Sequence, residues 1–272
     1  MSRRSWCFLA PAIAMILATP GASAYAQGYS PLTQINRRNV HRLQLVAEPP
    51  PPPQLQVDPG DSDDAASDGT SVFSMSPAGI LWEHDRRTGA YRAAYDLGYQ
   101  NMLTLDPLTG AVTQRSQAVS RGSTRPLSCP GPQGFKSRRA MAFHPTTHAL
   151  FVPLTLHCNE DGHDQFHPSW PEGLGEFVAI DVRTGRMLWR HRTRAAMTSG
   201  ALTTGGGVAV VGDSDGNVYI HDVANGKILY RTQLPGAVDG FPTTYAVRGR
   251  QYLALSTITG SVQVFALPEG TQ

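Results

Sequence analysis

Residues 177–234 read FVAIDVRTGRMLWRHRTRAAMTSGALTTGGGVAVVGDSDGNVYIHDVANGKILYRTQL, and one phrase occurs in them twice. An apolar strand runs into Asp, then two residues, then Thr or Asn, then Gly, and a second apolar strand leads away. Asp181 to Gly185 (DVRTG) is the first turn and Asp222 to Gly226 (DVANG) the second, with the glycines 41 residues apart. A period near forty with two hairpins in it is the length of one four-stranded propeller blade. Phe177, Ala179 and Val182 read as one face of a half-buried strand. Asp181 is placed to accept hydrogen bonds from N–H groups two or three residues on. Gly185 supplies a positive φ at no steric cost. Trp189 and Tyr230 each fall four residues past their turn Gly, a fixed aromatic position suited to a wedge between neighbouring blades.

The turn recurs upstream. Asp85 to Gly89 (DRRTG) and Asp106 to Gly110 (DPLTG) are half a period apart, and Gly110 lies 75 residues before Gly185, nearly two periods with one turn altered. Residues 139–153 supply strand, turn and strand without the Asp-Gly pair. Residues 240–267 read as a last hairpin around Arg248-Gly249. These segments predict an all-β chain of about four blades over residues 70–272.

The chain has 272 residues, 27 Gly and 21 Pro, and a formal net charge of +2. Residues 1–26 read as an export signal: Arg3 and Arg4, then an apolar run from Cys7 to Leu17, then Ala22-Ser23-Ala24 or Ala24-Tyr25-Ala26 as a cleavage site. The run is too short to span a bilayer, and no other segment is long enough. Losing Arg3 and Arg4 leaves 21 basic against 21 acidic side chains, which argues against nucleic acid as a partner. The expected location is periplasmic or secreted. Cys129 and Cys158 then remain. An oxidising compartment favours pairing them, and the alternative is two unpaired buried thiols. Residues 27–48 form an opening segment with Leu32, Ile35, Val40, Leu43 and Leu45 as apolar anchors. Residues 49–69 read as a linker, with a five-proline run and the acidic stretch DPGDSDDAASDG. That stretch has calcium-loop composition without the closing Glu.

Other candidates are local. Cys158, His163 and His167 have spacing compatible with zinc unless Cys158 is oxidised; otherwise they mark a polar loop. Arg183, Arg186, Arg190, Arg192 and Arg194 crowd one hairpin, as a solvated face or as a docking site for an acidic partner. Gly205-Gly206-Gly207 has no following helix and is not a phosphate loop. No Gly-x-Ser-x-Gly elbow is present. Asp85, Asp106, Asp181 and Asp222 are all accounted for by their turns.

Five segments resemble, in order, the quinoprotein alcohol dehydrogenases. These are YSPLTQIN (Tyr29 to Asn36) with Asn39, Val40 and Leu43 after it, GILWEHDRRTG (79–89), the Cys129–Cys158 pair, residues 197–230 and residues 240–255. The resemblance implies an eight-bladed PQQ-type propeller, of which this chain holds about half. It implies oxidation of alcohols with pyrroloquinoline quinone (PQQ), usually with Ca²⁺, and a cytochrome-type electron acceptor. It also implies a disulfide between Cys129 and Cys158, and places Lys136 and Ser137 beside the cofactor. The departures are as specific. No adjacent cysteines exist, and no Asp stands in the context of the catalytic base. The family's Arg before the GILW strand falls at Pro77, its Asn after Gly-Lys at Ser137, and its Trp before Gly-Gly near Ser199. Ca²⁺ is therefore not expected, and the chain reads as a shortened member without independent dehydrogenase activity. The other reading is a non-catalytic blade protein that binds or assembles. Half a ring leaves sheet edges that call for self-association or another propeller chain.

Overall fold

The computed structural model describes residues 23–26, 28–53, 55–56, 65–115, 125–135 and 141–270. Four antiparallel sheets follow one another in chain order as four blades of a propeller arc. The first holds Ala65–Ser67, Ser71–Met75, Ile80–Asp85 and Tyr91–Asp96. The second holds Ala142–His144, Ala149–Thr155, Gly175–Asp181 and Met187–Thr193. The third holds Leu202–Thr204, Val208–Gly212, Asn217–Asp222 and Ile228–Gln233. The fourth is built on Val238–Val247, Arg250–Thr257 and Val262–Ala266. Two further hairpins, Leu103–Leu105 with Val112–Gln114 and His157–Glu160 with His163–Phe166, stand outside the blades. The first blade begins at Ala65, so the last residues of the expected linker are strand.

Each pair of neighbouring blades encloses one apolar cluster. Phe73, Met75 and Leu81 of the first blade meet Leu150, Val178 and Ile180 of the second. Phe151, Phe177 and Ala179 meet Ala209, Val211 and Tyr219 of the third. Val210, Val218 and Ile220 meet Val238, Leu253 and Leu255 of the fourth. The strand Gly175–Asp181 is thus buried on both faces, where a half-buried strand was expected. Val178 and Ile180 face one neighbour while Phe177 and Ala179 face the other, and a strand between two sheets has no solvent side.

The aromatic wedge is real and has a fixed form. Each blade's outer strand lays a ring on the next blade. Tyr95 lies against Gly185, and Trp189 lies against Gly226 and donates from Nε1 to the Val223 carbonyl (3.1 Å). Tyr230 donates to the Leu43 carbonyl (3.5 Å). A Cβ on Gly185 would stand 2.0 Å from Tyr95, and one on Gly226 would stand 2.6 Å from Trp189. These glycines are therefore required twice, by positive φ and by the neighbour's ring. In every repeat the Asp closes the turn: the Gly89, Gly110, Gly185 and Gly226 amides donate to the Asp85, Asp106, Asp181 and Asp222 carbonyls at 2.8, 2.8, 2.8 and 2.9 Å.

The opening segment completes the arc. Gln44–Leu45 adds the outer strand of the fourth blade, antiparallel to Val262–Ala266. Gly28–Ser30 runs parallel to Leu202–Thr204 at the inner edge of the third. Ser23–Ala26, at the expected cleavage site, pairs with Val238–Val247, and Leu55–Gln56 pairs with Ser23–Ala26. The rest of the expected export signal, residues 1–22, lies outside the described residues. Ile35, Val40 and Leu43 are buried as expected, but Leu45 is exposed, because its strand is an edge. Gly205 and Gly206 lie so close to the Pro31 and Ile35 carbonyls that any side chain would collide. Gln251 locks the segment by accepting from the Ile35 amide (2.8 Å) and donating its own amide to the Gln34 side chain (2.6 Å).

Both end faces of the arc are covered. On the first blade, Trp82 Nε1 donates to the Gly110 carbonyl (3.3 Å) and Tyr91 Oη to the Pro107 carbonyl (2.6 Å), which brings the 103–114 hairpin over that face. On the fourth blade the proline run packs: Tyr245 Oη donates to the Pro50 carbonyl (3.0 Å). The run expected as a tether is a cover.

Candidate functional site

The turns at one end of the first three blades are stitched in sequence. The Phe135 amide donates to the Pro77 carbonyl (2.6 Å), the Thr155 amide to the Phe135 carbonyl (2.7 Å), and Thr155 Oγ1 to the Met197 carbonyl (3.4 Å). Ser199 is fully buried and holds the Gly212 amide (2.7 Å). The positions that resemblance assigns to the cofactor, Pro77 and Ser199, therefore share an end with Phe135. Lys136 and Ser137, with Arg138 and Arg139, lie outside the described residues. A cavity of about 620 Å³ opens beside Pro77, walled by Trp82, Met102, Leu103, Val112 and Pro130. Among the described residues none of its lining side chains is charged.

Against the pattern that the resemblance implies, Pro77 and Ser199 offer neither a guanidinium nor an indole, and the described lining of the cavity carries no cation. Among the described residues the one cluster of metal-ligand atoms is Cys129, Cys158 and His167. The two sulfurs are bonded to each other, closing a loop of 29 residues. The pairing expected from compartment and resemblance is thus present. His167 is buried and spends its ring on the Tyr99 carbonyl (2.7 Å) and Ser169 Oγ (2.8 Å). His163 is exposed on the neighbouring hairpin. The zinc spacing Cys158, His163, His167 is not realised in space, because the cysteine is oxidised and the first histidine points to solvent. Most of the acidic stretch lies outside the described residues, and Asp68 closes a turn by accepting from the Thr70 and Ser71 amides (2.8 and 2.7 Å).

Two buried polar groupings escaped the sequence reading. In the first, Glu176, fully buried, accepts from Tyr99 Oη and from Arg192 Nε (2.5 Å); Arg192 also lies 5.2 Å over the Trp170 ring. Burial raises the Tyr99 pKa, and the Glu176 carboxylate raises it further. Arg192 is therefore an internal ion-pair partner, while Arg183 pairs with Asp181 (3.0 Å); the basic hairpin is not one solvated face.

The second lies between the second and third blades. His221 Nε2 and His191 Nδ1 share a proton at 3.0 Å. His221 is fully buried, stacked on Trp189 and flanked by Phe177 and Tyr219. Tyr219 donates to Asp213 (3.0 Å), a fully buried carboxylate that also accepts from Asn217. Burial pushes Tyr219 up to about 12, with Asp213 adding to it. Burial depresses both imidazoles, and His221, with His191 beside it, falls to about 3. These groups lie between the second and third blades and hold them together. The nearest sequence signal was a histidine at an inward position of each strand, which periodicity alone does not distinguish from core.

Fold and cofactor-end positions together define a propeller of the quinoprotein class. The sequence profile of the PQQ glucose/ethanol/alcohol dehydrogenase β-propeller domain matches residues 109–253, more than half of the chain. The chain belongs to that family. It is 26% identical over 213 residues to the dehydrogenase subunit of a quinone alcohol dehydrogenase from Acetobacter aceti, covering 68% of this chain and 29% of the relative. It is 28% identical over 205 residues to a lupanine 17-hydroxylase [cytochrome c] from a Pseudomonas species, covering 70% and 30%. The chain thus spans about 30% of the length of these curated relatives. A europium-containing methanol dehydrogenase shares the fold at a TM-score of 0.61 and 24% identity, over 69% of this chain and 36% of that one. The quinohemoprotein alcohol dehydrogenase from Comamonas testosteroni does so at 0.60 and 21%, over 74% and 37%. Among the described residues no helix is long and apolar enough to cross a membrane.

Proposed function

We propose that this chain is an exported blade protein of the quinoprotein family that does not oxidise alcohols by itself. One observation carries the reading: Pro77, at the position the resemblance gives to an Arg, borders a cavity whose described lining carries no charge. Without a cation there the quinone carboxylates and carbonyl oxygens have no counter-charge, and hydride or proton transfer lacks its electrophile. The described part of the chain functions in this reading as a scaffold. Any PQQ binding would rest on Lys136 and Ser137. Joining a second copy or another propeller chain through the end faces would require the 103–114 hairpin or the proline run to move. A cytochrome acceptor would have Arg186 and Arg194, exposed at opposite ends of the strand Met187–Thr193, to approach.

The test is reconstitution. Purified protein is loaded with PQQ and Ca²⁺ and assayed for dye reduction with primary alcohols, beside its solution mass. No alcohol-dependent turnover is expected. Turnover that saturates with alcohol would refute the proposal.

A further inference from the structure

Tyr245 is buried on the outer face of the fourth blade, the face turned away from the third. Tyr245 stacks on Tyr252 with centroids 5.1 Å apart and planes at 16°, over Val264 and Ala266. Arg250 lies 5.4 Å over the Tyr252 ring. What covers this face is the chain's own proline run. The Tyr245 hydroxyl donates to the Pro50 carbonyl (3.0 Å), and Pro52 borders a cavity of about 260 Å³ with Phe241, Tyr245 and Val262.

The run's burial has a period of three. Pro50 and Pro53 are half-buried, while Pro51 and Pro52 are exposed. A polyproline II helix has three residues per turn, so Pro50 and Pro53 fall on one face, with Pro52 beside it on the rim of the cavity. A stacked aromatic pair beside a proline run, with a hydroxyl donating to a carbonyl of that run, is the arrangement by which aromatic grooves read proline-rich segments. The physical reasons are general. Proline rings are pre-ordered, so little entropy is lost on docking. Their carbonyls have no N–H to compete for and remain free to accept.

We propose that the outer face of the fourth blade is a polyproline II recognition surface, occupied in cis by Pro50 and Pro53 and able to accept a proline-rich segment in trans. The inference is independent of whether the chain binds quinone. The cis segment is tethered, so it competes at the high effective concentration of a short linker, and a trans peptide meets an occupied site.

The experiment uses a fluorescent peptide of the chain's own sequence, EPPPPPQ (residues 48–54), titrated by anisotropy into the full chain. The double variant Pro50→Ser, Pro53→Ser should bind it at least tenfold more tightly than the unaltered chain. Adding Tyr245→Phe should weaken that binding roughly five-fold, the loss of one hydrogen bond. No binding to the double variant, or binding that is indifferent to Tyr245, would overturn the proposal. Should the double variant not melt cooperatively, the ring resonances of Tyr245 and Tyr252 are followed in the unaltered chain with excess peptide. They shift if a trans segment displaces the cis run, and rings that stay in place under saturating peptide would equally overturn the proposal.

Discussion

Acid should open the joint between the second and third blades, and His221 is where the effect originates. In the folded chain its ring is fully buried, stacked on Trp189, and bonded to His191 Nδ1 at 3.0 Å. One proton lies between the two nitrogens; a second would set two N–H groups against each other. The charged and titratable groups around the pair are Arg231, which disfavours a proton on His191, and Asp213, which favours it. Tyr219 stands beside both rings. The folded His221 pKa lies at about 3, against an ordinary value of 6.5. The unfolded chain therefore takes up a proton below pH 6.5 that the folded chain refuses. Stability is complete above that pH and is lost as pH falls toward the folded value. Between pH 7.5 and pH 5 the loss from this one ring is about 2 kcal/mol, and by pH 4 about 3 kcal/mol. His221→Phe keeps an aromatic ring among Phe177, Trp189 and Tyr219 and removes the titration. Urea unfolding of both proteins at pH 7.5 and pH 5 measures it, with the disulfide intact. The unaltered chain should lose about 2 kcal/mol more than the variant over that interval. Equal losses would refute the reasoning, because the carboxylates common to both proteins would then account for all of the acid sensitivity.

Two further outcomes follow from the repeat and the cross-link. Gly226→Ala brings a methyl to 2.6 Å from Trp189 at a φ of +74°, whereas Gly89→Ala, at a φ of +70°, meets nothing within 4 Å. Both carry the backbone cost of about 1–2 kcal/mol; only Gly226→Ala should add an overpacking cost of about 1–3 kcal/mol and a change in Trp fluorescence. Equal destabilisation in thermal melts would show that the ring is not clamped on the turn. Replacing Cys129 and Cys158 together by serine frees a loop of 29 residues. Unfolding free energy should fall by about 3–4 kcal/mol, and an unchanged urea midpoint would contradict that.

The blades themselves were legible because the sequence signal and the structural cause are the same local event. Asp181 and Gly185 close a turn within five residues, and the identical arrangement at Asp222 and Gly226 needs no partner to be recognised. Trp189 and Tyr230 were legible as wedges for the same reason: a constant offset from the turn fixes which way the outer strand presents its ring. Gly205 and Gly206 were legible only as not being a phosphate loop. Their purpose, room for the Pro31 and Ile35 carbonyls, depends on a segment some 170 residues away in the chain. The half-buried reading of Phe177 failed because alternation reports one buried face, and a strand enclosed by two blades has two.

The sequence by itself determined the class of fold, the order of the blades and the family, since each is a matter of residue type at a fixed distance from a turn. Only the tertiary structure decided what lies between blades and at their ends. It brought His191 of one repeat to His221 of the next, and gave Arg192 to Glu176. It also laid the proline run over Tyr245 where a linker was expected. Such contacts join residues whose separation in the chain has no period, so they follow from how the sheets stack and from which segments lie against their faces.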